Sequence, residues 1–190
     1  MAITIQELIT KLVPIVGKVQ HSPLTINKGS TGLLLETITG IPHTPNCLDC
    51  TDGELKTFPV KKLKNNTFVP KETVAVTMVS IDELKSCEFT SSRCAKKMNK
   101  VLFVPYYREG ESITYLSPTL LSKETHTTVY ADLENDYALI KKEYETNGIL
   151  KSTLGKYLQT RTKGAGHGTT SRAFYLRTSF LKEYVPIRFE

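Results

Sequence analysis

The stretch Asp49-Cys50-Thr51-Asp52-Gly53-Glu54-Leu55-Lys56, continued by Thr57-Phe58-Pro59-Val60, decides how this chain is read. Asp52-Gly53 is a turn pair, because glycine tolerates the positive φ of tight turns and aspartate bonds to nearby backbone. After it, Glu54 to Val60 alternates as a strand, with Pro59 placing its end near a sheet edge. Before it, Leu48-Asp49 is expected to close the first strand of a short hairpin. Glu54 and Lys56 then share one face, and Asp49 lies across the turn within reach of Glu54. Asp52, in the turn itself, is the alternative second carboxylate. Two carboxylates with an open position suit a hard divalent cation such as Mg²⁺, which keeps water ligands, polarises a phosphoryl oxygen and activates water. A neighbouring lysine orients or helps deprotonate that water and offsets phosphate charge. Acid and base also alternate on many solvated strands, so the pattern takes its weight from its context.

Working outward, Lys28 to Thr39 reads as a helix with Ser30 as its cap and Gly40-Ile41-Pro42 as its stop. Glu36 ends its apolar run Leu33-Leu34-Leu35 and is a candidate to point inward to the same ion; an exposed helix-end glutamate is the alternative. Residues 3–17 carry Ile5, Leu8, Ile9, Leu12 and Val13 at helical spacing, and His21 to Asn27 reads as a loop. Residues 73–79 read as a central strand, 82–99 as mixed helix or loop, and 100–107 as another strand. Asp132 to Tyr144 has Leu133, Tyr137 and Ile140 on one helical face and ends at Asn147-Gly148. Arg161 to Arg172 is a glycine-rich basic loop, Ala173 to Arg177 a strand, and Ser179 to Tyr184 a short helix. This order implies a single α/β domain, a mixed central sheet flanked by helices. Within it, 1–27 form an N-terminal helix and loop, 28–107 a catalytic core, and 108–190 a helix and C-terminal part.

With 25 Lys and Arg against 19 Asp and Glu, the formal charge is +6 and the pI about 9.1, which favours an anionic partner. No apolar run approaches the roughly 20 residues that span a bilayer, and the N-terminus lacks the pattern of a signal peptide. No membrane partner and a cytoplasmic setting are expected, with Cys47, Cys50, Cys87 and Cys94 as reduced thiols. Cys47-Leu48-Asp49-Cys50 is half of a zinc pattern, but Cys87 and Cys94 are not spaced as the second half. His167 reads as a solvated loop residue, with a phosphate contact as the alternative.

Four blocks, in this order, resemble the MutH family of DNA endonucleases. They are Lys28-Gly29-x-x-Gly32-x-Leu34-Leu35-Glu36; Glu54-Leu55-Lys56-Thr57-x-Pro59; Lys97 ahead of the strand Lys100 to Pro105; and Tyr157-Leu158-Gln159-x-Arg161-x-Lys163 followed by Phe174-Tyr175-Leu176. The family comprises a mismatch-repair nickase and related restriction enzymes that cut GATC sites. The resemblance implies a restriction-endonuclease-like PD-(D/E)XK fold, metal ligands Asp49 and Glu54, Lys56 beside them, and Glu36 and Lys97 in support. It also implies Arg161 on base edges, Tyr175 near the adenine whose methylation is sensed, and Glu72 on DNA. Lys163, with Gly164-Ala165-Gly166, suits close approach to a phosphate. The family's usual aspartate spacing falls here on Cys47, and a shortened hairpin restores a carboxylate at Asp49.

The expected function is therefore a Mg²⁺-dependent, sequence-specific endonuclease on double-stranded DNA, a type II restriction enzyme for a short site such as GATC, acting as a homodimer on a palindrome. A methyl-directed nickase working with a mismatch-repair partner is the alternative, and a non-catalytic DNA-binding module the second.

Overall fold

Val101 to Tyr107 is the longest apolar run of the chain, and it lies in β5 (Lys100–Glu109), whose Val101, Leu102, Phe103 and Val104 are wholly buried. A strand apolar on both faces must be covered on both, and the rest of the computed structural model, which describes residues 3–23, 29–42, 46–163 and 171–188, is arranged around it. β2 (Glu54–Lys62) lies parallel to β5 in the register Glu54↔Val101 to Val60↔Tyr107. β1 (Val19–His21), β3 (Phe68–Pro70), β6 (Ser112–Tyr115) and β7 (Thr119–Ser122) complete a mixed six-stranded sheet of order β1-β6-β5-β2-β3, with β7 pairing the first half of β5. A second sheet of order β4-β9-β8 is built from β4 (Val74–Met78), β8 (Leu158–Thr162) and β9 (Arg172–Leu176).

Strand alternation sorts two cores. Leu55, Leu102 and Val104 face helices α1 (Ile5–Leu12) and α2 (Ser30–Thr39), meeting Ile5, Leu8, Leu12 and Leu35. Phe58, Val101 and Phe103 face the other way, toward Met98 of α4 (Arg93–Met98), Leu133 and Tyr137 of α5 (Thr127–Asn147), Phe180 of α6 (Thr178–Tyr184), and Phe174 of the second sheet. α3 (Ile81–Ser86) and a 3-10 turn at Phe89–Ser91 complete the crossover from β4 to α4. Among the described residues no helix is long and apolar enough to cross a membrane.

Several expectations need correction. Leu48-Asp49 forms no strand: residues 46–50 are a bent loop, so Glu54 opens β2 without a hairpin partner. Residues 73–79 supply β4, which is an edge strand of the smaller sheet and not a central one. Gly29, not Ser30, is the N-cap of α2, and it makes no side-chain cap bond. His21 pairs with Ser112 in β1. Residues 82–99 are mixed helix and turn as expected, as α3, the 3-10 turn and α4, whereas α5 extends beyond 132–144 in both directions to a left-handed Gly148. Arg161 and Arg172 lie in strands and not in the loop between them. Pro59 sits mid-strand; its carbonyl accepts Lys71 N at 2.9 Å, and pairing with β3 starts only at Val60, so its missing N–H falls on a local edge.

Candidate active site

The turn before β2 is set by packing against α1. A Cβ at Gly53 would stand 2.7 Å from both Ile5 Cγ1 and Lys100 O, so only glycine fits. Asp52 ties the same turn down: Oδ1 accepts Ile5 N at 2.7 Å and Oδ2 accepts Lys100 Nζ at 2.5 Å. Burial works against its ionisation, but the Lys100 ammonium and the Ile5 N–H outweigh it and hold its carboxyl below the usual range. Asp52 is thus committed to α1 and β5.

Glu54, the first residue of β2, is 1% exposed. Its Oε1 accepts two ammonium groups, Lys56 Nζ at 2.6 Å and Lys97 Nζ at 2.7 Å. Lys56 reaches it because it lies two residues along the same strand face. Lys97 reaches it because α4 packs over that face with Met98 in the core beneath. Its Oε2 is buried and meets no hydrogen-bond donor among the described residues. A buried anionic oxygen without a partner is costly.

Asp49 stands beside it, in the loop. Its Oδ2 accepts Leu55 N at 3.0 Å, which fixes the loop to the start of β2 and does the work the hairpin was expected to do. Burial, then the Glu54 charge, raises its pKa, while Lys56 and Lys97 act in the opposite sense. Asp49, Glu54, Lys56 and Lys97 therefore form one electrostatic group. Two neighbouring carboxylates, one with an orphaned oxygen, fit a hard divalent cation; Asp49 and Glu54 would hold it. Among the described residues no group of three or more His, Cys, Asp or Glu side chains gathers around a common point. The four cysteines are free thiols, and burial, with Asp49 close by, pushes Cys50 up to about 12.

The remaining candidates lie elsewhere. Glu36 is half-buried on α2, one turn beyond Gly32, where an added Cβ would meet Thr57 Oγ1 at 3.2 Å. Thr57 alternates with Glu54 and Lys56, so α2 lies over the other face of β2. Glu72 is exposed just before β4, and its charge reaches Tyr106 on β5. Arg161 is exposed on β8, where its Nη1 donates to Thr73 Oγ1 at 3.1 Å, and Tyr175 is half-exposed on β9. Lys163 N donates to Ser171 O at 2.9 Å; Lys28, Gly164-Ala165-Gly166 and His167 lie outside the described residues.

Sequence reasoning passed over Asp136. It is 5% exposed on the apolar face of α5, and it accepts Lys156 N at 2.6 Å, Tyr157 N at 2.7 Å and Leu158 N at 2.8 Å. An acid on an otherwise apolar stripe was the signal, since a buried carboxylate needs donors. Also unread was a groove of about 1250 Å³ between the 46–52 loop, α4 and the start of α5, bordered by Arg93, Lys96, Lys100 and Lys123 and by Asp52, Glu124 and Glu134. Lys96 also borders a smaller cavity beside Asp49.

The chain is 27% identical over 154 residues to the type II restriction enzyme Sau3AI of Staphylococcus aureus, a match covering 70% of this chain and 31% of that protein. The chain thus spans about a third of the length of that curated relative. A solved complex of restriction endonuclease MvaI with its cognate DNA superposes with a TM-score of 0.50 over 96% of this chain and 95% of that one, at 14% identity. That likeness establishes a restriction-endonuclease-like fold. Residues 45–142, more than half of the chain, match the family model described as DNA mismatch repair enzyme MutH. This span holds Asp49, Glu54, Lys56, Glu72 and Lys97, and the chain belongs to the MutH family.

Proposed function

We propose that the protein is a sequence-specific endonuclease hydrolysing phosphodiester bonds in double-stranded DNA, a type II restriction enzyme for a short site such as GATC. The observation that carries the reading is Glu54: one carboxylate oxygen held by two lysines, the other buried and unpartnered, with Asp49 alongside. Asp49 and Glu54 are the proposed ligands of Mg²⁺, which when bound supplies Lewis acidity toward the scissile phosphate. Lys56 Nζ positions the attacking water and, when neutral, takes its proton. Lys97 Nζ holds Glu54 in place and offsets charge growing on the phosphoryl oxygens. Glu36 is assigned a supporting place from α2. Arg93, Lys96 and Lys123 border the groove beside this cluster, together with Glu124 and Glu134, and are the proposed contacts for a phosphodiester backbone there. Arg161, Tyr175, Lys163 and Glu72 are the proposed DNA contacts, and a homodimer on a palindromic site accounts for cutting both strands.

The test is incubation with unmethylated, hemimethylated and fully methylated plasmid, in Mg²⁺ and in EDTA. Metal-dependent double-strand cutting into discrete fragments is expected. Nicking confined to hemimethylated DNA would instead identify a repair nickase dependent on a mismatch-repair partner. Binding without cleavage would identify a non-catalytic module.

A further inference from the structure

Between Glu54 and Glu72 the chain holds five lysines and no acid: Lys56, Lys61, Lys62, Lys64 and Lys71. Lys56 belongs to the cluster at Glu54. The other four collect on the hairpin that joins β2 to β3, where residues 61–67 and 71 are all exposed. Lys61 and Lys62 end β2, Lys64 lies in the turn, and Lys71 follows Pro70 at the base. Glu72 follows Lys71 and Glu109 ends the neighbouring strand β5, yet none of these four lysines forms an ion pair among the described residues.

The tip is a built turn. Leu63 N donates to Thr67 O at 2.8 Å and Asn66 N to Leu63 O at 3.0 Å. Asn66 takes a φ of 64°, a left-handed conformation that asparagine tolerates. The Asn65 carboxamide oxygen accepts Thr67 N at 3.2 Å and Thr67 Oγ1 at 2.7 Å. Phe68 stands edge-on to Tyr107 with ring centroids 5.3 Å apart, which seats the hairpin on β5. Ammonium groups gathered on one tip repel one another, and an anionic partner removes that repulsion. Lysines also guard exposed sheet edges against strand pairing, but the edge strand β3 carries none and ends in Pro70, which offers no donor.

The tip extends the line of the proposed DNA contacts. Lys71 N bonds Pro59 O at 2.9 Å, and Thr73, two residues on, accepts Arg161 Nη1 at 3.1 Å. Lys62 stands about 20 Å beyond Lys56 at roughly 3.3 Å per residue, whereas a site of about four base pairs spans only about 14 Å at roughly 3.4 Å per step. Lysine ammonium groups are mobile point charges that meet phosphates without reading sequence.

We propose that Lys61, Lys62 and Lys64 hold the phosphate backbone of the duplex outside the recognised site. This rests on the endonuclease reading above. The site is first defined by sequencing the ends of cleaved fragments. Anisotropy with Ca²⁺ in place of Mg²⁺ then measures affinity for two duplexes, one with the site and short ends, the other with long flanks on both sides. Wild type gains roughly 10-fold or more from the flanks at about 0.1 M salt, and its salt slope steepens by about 2–3. Lys61→Gln/Lys62→Gln/Lys64→Gln loses that gain and that added slope, and binds the short duplex like wild type. Lys18→Gln/Lys142→Gln/Lys182→Gln removes the same charge from exposed positions elsewhere and keeps both. Should the first triple variant fold poorly, Lys64→Gln alone lowers the slope on the long duplex by about one. A wild type that gains nothing from the flanks, a hairpin variant that keeps the gain, or a control that loses it equally overturns this inference alone. A wild type that cuts no DNA overturns both it and the reading beneath it.

Discussion

Replacing Glu54 by glutamine tests the proposed site through its energetics before any DNA is added. The two ammonium groups bond one oxygen at 2.6 and 2.7 Å, so they sit no more than about 5 Å apart, where at an effective dielectric of about 20 they repel by roughly 3 kcal/mol. The carboxylate offsets this; a glutamine offers no charge, and its NH₂ is another donor. Breaking a fully buried ion pair costs about 3–5 kcal/mol. Lys56 and Lys97 are 20% and 17% exposed and can turn partly to water, so we expect Glu54→Gln to lose about 2–3 kcal/mol, or roughly 5–10 °C in Tm for a chain of this size. Metal acts in the other direction. A ligand that binds only the folded state at a millimolar Kd adds about 1.4 kcal/mol at ten times that concentration, so Mg²⁺ should raise the wild-type Tm by roughly 3–5 °C. The variant should show no such rise. Calorimetry with and without Mg²⁺ reads both effects. A Glu54→Gln protein that melts with wild type, or that keeps the Mg²⁺ shift, would refute the assignment of this carboxylate.

Asp49→Asn should abolish cleavage and yet stabilise the metal-free fold at neutral pH. Burial and the Glu54 charge raise the folded pKa of Asp49, so its ionisation opposes folding, and the gain should vanish as pH falls below the ordinary aspartate pKa; urea titrations in EDTA from neutral to acid pH check this. Asp136→Ala strands two buried N–H groups and a part-buried third and should cost about 3–5 kcal/mol, a loss of about 2 M in the urea midpoint. Arg161→Ala should relax site preference by about 1–3 kcal/mol, measured as relative cleavage of the site and its single-base variants. Lys163→Ala should weaken all sequences alike and reduce the salt slope of binding by about one.

The two strands at the centre of the larger sheet were legible because each has a strong local signal. β5 is a long apolar run, and β2 follows a turn pair with Glu54 and Lys56 in phase. β6 and β7 were not, because four residues each, as in Ser112–Tyr115 and Thr119–Ser122, hold too little pattern, and their pairing with β5 is a tertiary fact. β4 looked central because its residues are β-branched, but that reflects burial against α4 and the second core and not its place in a sheet. In the site, Asp49 and Asp52 were indistinguishable by spacing. The structure separates them through partners 47 and 48 residues distant, since Asp52 binds Ile5 N and Lys100 while Asp49 turns to Leu55 N beside Glu54. The convergence of Lys97 on Glu54 rested on resemblance alone, because no local pattern brings a helix across 43 residues to a strand.

β2, which carries the proposed metal site, and β8 and β9, which carry proposed DNA contacts, belong to different sheets. Under the roles proposed above, heritable change can act on one without disturbing the other. A lineage can drift toward a new target word through positions 161 and 175 while 49, 54, 56 and 97 stay fixed.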